Sequence, residues 1–153
     1  MKSIRTTRTI AAPLELVFQT VADVRNFKHA ITHITEIEFL SDQQVGTGTK
    51  FRETRVHNGR EQTVELEVQE FVDNEKVRIV SDAGGTIWDT VFAVEAAASS
   101  ASETILTMEM AIKPHTLMAR ITTPLIRGFV AKAVESDLDA VKTYCESELK
   151  RAQ

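Results

Sequence analysis

Apolar and polar positions alternate along most of this chain, then switch near residue 117 to a helical period. Residues 3–10 read as a strand. Residues 13–22 place Leu14, Val17, Phe18 and Val21 at helical spacing, and a second short helix fits 25–30. Six further strands are predicted near 34–41, 47–57, 61–72, 75–82, 86–95 and 103–113, followed by helix over about 117–150, interrupted early by Pro124 and Gly128. Asn58-Gly59, Asp73-Asn74 and Gly84-Gly85 carry hairpin-tip chemistry. Ala96–Ser102, a run of Ala and Ser, reads as a loop, and Gly46-Thr47-Gly48 as a strand-entry turn. Pro13 opens the first helix where a missing N–H costs nothing, and Pro114 ends the last strand.

The hairpin tips fix a register. With Asn58-Gly59 at a tip, Arg52 faces Glu65 and Lys50 faces Glu67, so opposite charges meet across strands on one face. The other face then carries Phe51, Val64, Leu66 and Val68. Successive hairpins add Val77 and Ile79, then Trp88, Thr90, Phe92 and Val94, then Leu106, Met108, Met110 and Ile112. One face is apolar throughout, as a sheet covered on one side requires. The last helix supplies the cover: Ile126, Phe129, Val130, Ala133, Val134, Leu138, Val141 and Cys145 form one stripe. Lys132, Glu135, Asp139, Lys142, Glu146 and Lys150 lie opposite. A helical stretch of about 25 residues spans roughly 37 Å, enough to cross most of such a sheet.

At 153 residues the chain suits one domain, 1–153, with one core. A net charge of -4 is too mild to steer the chain to nucleic acid or an anionic membrane, and acids interleave with the basic residues, leaving no stripe for nucleic acid. No apolar run reaches the roughly 20 residues of a membrane span, so no stable insertion is expected, and the first residues do not resemble a secretory signal. Cys145 is the single cysteine, which excludes an intramolecular disulfide and a cysteine-based zinc site and suits a reducing cytoplasm. Phosphate-loop, dinucleotide and nucleophile-elbow motifs are absent, and no cofactor is implied.

Several segments sharpen the fold: Ile10-Ala11-Ala12-Pro13 with Val17-Phe18 and Asp23, the turn Val45-Gly46-Thr47-Gly48, and Glu135-Ser136-Asp137-Leu138. With the order strand, two short helices, six-strand meander, long helix, they make the whole chain resemble the polyketide cyclase/dehydrase and lipid-transport group of the START-like (SRPBCC) superfamily. Many members have Trp where this chain has Phe18, another large apolar plug. The resemblance implies an α+β helix-grip fold: a seven-stranded curved antiparallel sheet with the C-terminal helix on its concave face and a cavity between them. In different members such a cavity holds sterols, polyketides, lipids, quinones or hormones. Some members are enzymes, others chaperone activators, and fold by itself does not choose among them.

Candidate site residues follow from exceptions to the pattern. Glu53 and Arg55 continue the inward set of the third strand, which His57 extends at the strand end; charge on an apolar face is informative. Glu53 and Arg55 either anchor a polar ligand group at the cavity mouth or reach water beyond the core, the cheaper arrangement. Asp137 falls inside the helical stripe. It is either a carboxyl with a raised pKa or, more commonly, a partner in a structural hydrogen bond. Leu66, Trp88, Thr90, Phe92, Met108, Phe129 and Ala133 complete the expected lining, with Met110 and Met118 as adaptable apolar filling. Tyr144, at the stripe edge, either offers a hydroxyl or packs in the core. His29 and His33, four apart, would share a helix face, but no glutamate accompanies them in a metal-protease arrangement; they fit a segment over the cavity entrance better than a metal site.

Three functions remain open. The first is binding or carriage of a small hydrophobic molecule, lipid, polyketide-like or quinone-like, by a monomer or homodimer. The second is a cyclase or dehydratase using Glu53, Arg55 and Asp137 as charged participants. The third is a protein-interaction module, marked by an exposed apolar patch on the outer sheet or the short helices.

Overall fold

The computed structural model describes residues 2–98 and 100–152. Strand β1 (Lys2–Ile10) leads into α1 (Leu14–Ala22) and α2 (Val24–Ala30). There follow β2 (Ile34–Phe39), β3 (Lys50–His57), β4 (Arg60–Val72), β5 (Lys76–Ala83), β6 (Thr86–Ala97), β7 (Ser100–Pro114) and α3 (Leu117–Arg151). The strands form one antiparallel sheet in the order β1-β7-β6-β5-β4-β3-β2. The chain is therefore a meander from β2 to β7 whose far edge β1 completes, while α1 and α2 carry it from one edge to the other. This is the helix-grip fold.

Local chemistry sets the boundaries. Asn58 (φ 51°) with Gly59 (φ 78°) gives the doubly positive geometry of a two-residue hairpin turn, which matches the right-handed twist of its strands. Lys50 pairs with Glu67, Phe51 with Leu66 and Arg52 with Glu65, the register expected. The guanidinium of Arg52 nonetheless turns to Glu38 on β2, at 2.9 Å. Asp23 ends α1 and caps α2, its carboxylate accepting from the Arg25 N–H at 3.0 Å.

Two expectations need correction, and one feature was not anticipated. The loop expected over Ala96–Ser102 is shorter than that range: β6 runs to Ala97, Ala98 is in a turn, and β7 starts at Ser100, with Ser99 outside the described residues. The last helix is not interrupted at Pro124 or Gly128. It has 35 residues, roughly 52 Å, with Pro124 inside it. A register shift between Val68 and Glu70 was not legible; it sets Phe71 opposite Val77, where its ring meets Phe18 edge-on at 5.4 Å.

The core lies between the concave face, α1 and α2, and the second half of α3. Phe18, Phe51, Ile10, Leu106, Leu138 and Val141 are fully buried there. Beyond the core the first half of α3 stands away from the sheet, and a cavity opens beneath it.

Candidate functional site

The cavity has a volume of about 520 Å³. Strand parity builds its floor. Phe51 and Glu53, then Val64, Leu66 and Val68, then Ile79 and Ser81, then Trp88, Thr90 and Phe92, then Met108 and Met110 all face it. Ile126, Phe129, Val130, Ala133, Val134 and Asp137 of α3 form the roof, and Val21 and Phe27 of the short helices also line the space. Every residue nominated for the lining, namely Glu53, Arg55, Leu66, Trp88, Thr90, Phe92, Met108, Phe129, Ala133 and Asp137, borders this space.

Glu53, Arg55 and Asp137 do not project into bulk water. Arg55 Nε donates to Glu53 Oε1 at 2.6 Å, and its Nη1 donates to both Asp137 oxygens at 3.1 Å. Both carboxyl groups are buried. One guanidinium thus ties β3 to α3 across the cavity wall while holding two acids. Burial pushes the Asp137 carboxyl above the usual carboxylate range, and the Glu53 charge adds to this; Arg55 and, more weakly, His57 oppose it without cancelling it. Desolvation works against the Arg55 charge, but the two carboxylates outweigh it and raise its pKa.

The floor carries a second polar feature. Ser81 Oγ is the one buried side-chain oxygen or nitrogen among the described residues that lacks a hydrogen-bond partner. Its residue borders the cavity beside Trp88, whose Nε1 donates to the Ala83 carbonyl at 3.3 Å. At one end Thr86 and Thr123 join sheet to helix through a 3.0 Å hydroxyl contact.

The profile of the family described as "Polyketide cyclase / dehydrase and lipid transport" matches residues 1–146. The chain belongs to that family. Solved structures agree on the fold. The Zhui aromatase/cyclase from Streptomyces sp. R1128 is 17% identical, with a TM-score of 0.76 over 97% of this chain and 95% of that one. A START superfamily protein from Mycobacterium smegmatis is 13% identical, with a TM-score of 0.76 over 95% and 97%. A protein of Thermus thermophilus is 18% identical, again with a TM-score of 0.76, over 96% and 99%. No curated protein sequence matches the chain.

Other nominated residues of this family member lie away from the cavity. Met118 is exposed on the outer side of α3, and Tyr144 packs against the core instead of the cavity. His33 lies beyond the end of α2, so it shares no helix face with His29; its ring stacks on His57 at 4.5 Å. No cluster of three metal-ligating side chains occurs among the described residues. Cys145 is buried, and burial raises its pKa, so it is an unreactive thiol. Among the described residues no helix is long and apolar enough to cross a membrane. Ser81 went unrecognised although its signal was present: it continues the inward parity of Val77 and Ile79. Gln44 and Val45, at the mouth, carried none, because they sit in a loop whose path Gln43 sets by donating to the Val45 and Thr47 carbonyls at 2.6 and 2.9 Å.

Proposed function

We infer that the protein binds and carries a small, elongated, mostly apolar molecule with a polar group, the whole chain acting as one ligand-holding unit in a reducing compartment such as the cytoplasm. The observation that carries this reading is the cavity itself. Protein interiors pack to the density of organic crystals, and voids lined by Leu, Phe and Met cost stability in proportion to their volume. About 520 Å³ lies within the size range of small-molecule sites. Apolar area removed from water supplies affinity, at about 25 cal/mol per Å² before ordering costs. Ser81 Oγ and the Arg55 group supply orientation. They are two strands apart and, by the pairing register, four residues apart along the strands, roughly 16 Å between backbones, which suits a ligand with polar atoms at separated positions.

Trp88 is the only tryptophan and borders the cavity, so its fluorescence reports occupancy directly. Titration with a long-chain fatty acid or a fused-ring phenol is expected to give a saturable change that Met108→Trp, by filling the cavity, suppresses in native mass spectrometry. If neither ligand class is retained by the wild type, the reading fails.

One arrangement favours a second reading, a cyclase or dehydratase. Asp137 is a carboxyl with a raised pKa at the cavity wall, and Arg55 places a second carboxyl beside it. That is the disposition needed to move a proton at a confined substrate carbon. Turnover of a β-keto thioester to a cyclised or dehydrated product, lost in Asp137→Asn with ligand binding retained, would support it. Binding without turnover leaves carriage as the function.

A further inference from the structure

The first half of α3 presents to solvent a face unlike any other among the described residues. Leu117, Met118, Ile121, Leu125 and Phe129 are between 61% and 80% exposed. At 100° per residue they fall within a single arc, opposite Ala119, Thr123 and Val130, which face the protein. Charge follows the same boundary. Residues 110–134 contain four of the 18 Lys and Arg, namely Lys113, Arg120, Arg127 and Lys132, and none of the 22 Asp and Glu. Arg120 and Arg127 flank the apolar arc on one side, and Lys132 closes it at its C-terminal end.

We propose that this face docks the protein onto an anionic lipid surface, with the axis of the first half of α3 in the plane of the headgroups. An exposed apolar arc edged by basic residues is the make-up of an interfacial helix: the apolar side chains enter the headgroup boundary while the cations meet lipid phosphates. Lys113 and Arg127 have partners in the protein, Asp89 at 3.2 Å and the Ser3 carbonyl at 2.9 Å, so Arg120 and Lys132 carry most of the lipid attraction. A second copy of the chain fits less well. Pairing this face about a two-fold axis would gather the basic residues of both copies with no acid from the segment to answer them. Position gives docking a consequence. Ile126, Phe129 and Val130 roof the cavity on the same turns that bear Leu125 and Phe129 outward, so the lipid surface would lie against the cavity roof. The docking stands on the surface alone; a lipid as cargo would rest on the carriage reading above.

Flotation with vesicles of phosphatidylcholine alone, or of equimolar phosphatidylcholine and phosphatidylglycerol, tests it. Binding is expected only to the anionic vesicles and should weaken strongly at about 1 M salt, where the screening length is about 3 Å. Ile121→Glu/Leu125→Glu should abolish it. Arg120→Gln and Lys132→Gln should each weaken it about fivefold, and Thr143→Glu, farther along the exposed side, should leave it unchanged. The Trp88 response to fatty acid should survive in Ile121→Glu/Leu125→Glu, which separates loss of docking from loss of the cavity. Should the double-glutamate variant misfold by circular dichroism, the two glutamine variants decide alone. Absence of binding, equal binding to both vesicle types, or a solution dimer that Leu125→Glu dissolves would each overturn the proposal.

Discussion

The two halves of α3 are one continuous helix in unlike surroundings. From Val134 to Cys145 the inner stripe is buried against the sheet and α1, and the flanks are tied down as well. Asp139 accepts from Arg8 at 2.7 Å, Lys142 donates to the Thr9 carbonyl at 2.6 Å, and Glu146 accepts from the Ala11 N–H at 2.8 Å. From Leu117 to Phe129 the helix is held by its Thr116 cap, the buried Ala119 and the Thr86–Thr123 contact, while its large apolar residues face water. The second half builds the fold and adds Val134 and Asp137 to the cavity roof, and the first half supplies Ile126, Phe129 and an open apolar face. Stability and function are thereby partly separated along one element, as expected where binding regions are drawn from the less stable parts of a structure.

The largest expected effect tests the joint between the halves. Arg55→Ala leaves Glu53 and Asp137 buried without their cation and should cost about 3–5 kcal/mol in urea unfolding; a loss below about 1 kcal/mol would mean the acids find water instead. Leu138→Ala, in the packed half, should cost about 2–5 kcal/mol.

Asp137 gives a smaller effect with a definite sign. Its pKa is raised in the fold, so its favourable contribution is complete below the ordinary aspartate value of about 3.9 and is lost as pH rises through the folded value. Asp137→Asn should therefore gain stability relative to wild type as pH rises through that window, by about 1.4 kcal/mol for each unit of elevation. A difference that stays constant with pH, or grows toward acid, would contradict the burial argument. The smallest effect is Leu125→Ala, expected to change stability by no more than about 0.5 kcal/mol. A cost near that of Leu138→Ala would erase the contrast between the halves.

Much of this was legible in the residues. Parity along the meander placed Leu66, Trp88, Thr90, Phe92 and Met108 on one face because a strand offers its side chains to only two sides and one is covered. Asp137 stood out because charge inside an apolar stripe is costly. Phe129 borders the cavity, yet most of its surface faces water, and Met118 and Leu125 face water outright. Periodicity reports which residues share a face; it does not report how far that face stands from its partner.

By itself the sequence determined the order of elements, the hairpin register and the apolar face, since each follows from backbone periodicity and turn stereochemistry within a few residues. Only the tertiary structure decided that Glu53, Arg55 and Asp137 meet, since β3 and α3 are 82 residues apart where Arg55 reaches Asp137. It alone decided that a cavity replaces close packing beneath the first half of α3. Separation between two elements depends on the summed volume of everything between them, and no local pattern encodes that sum.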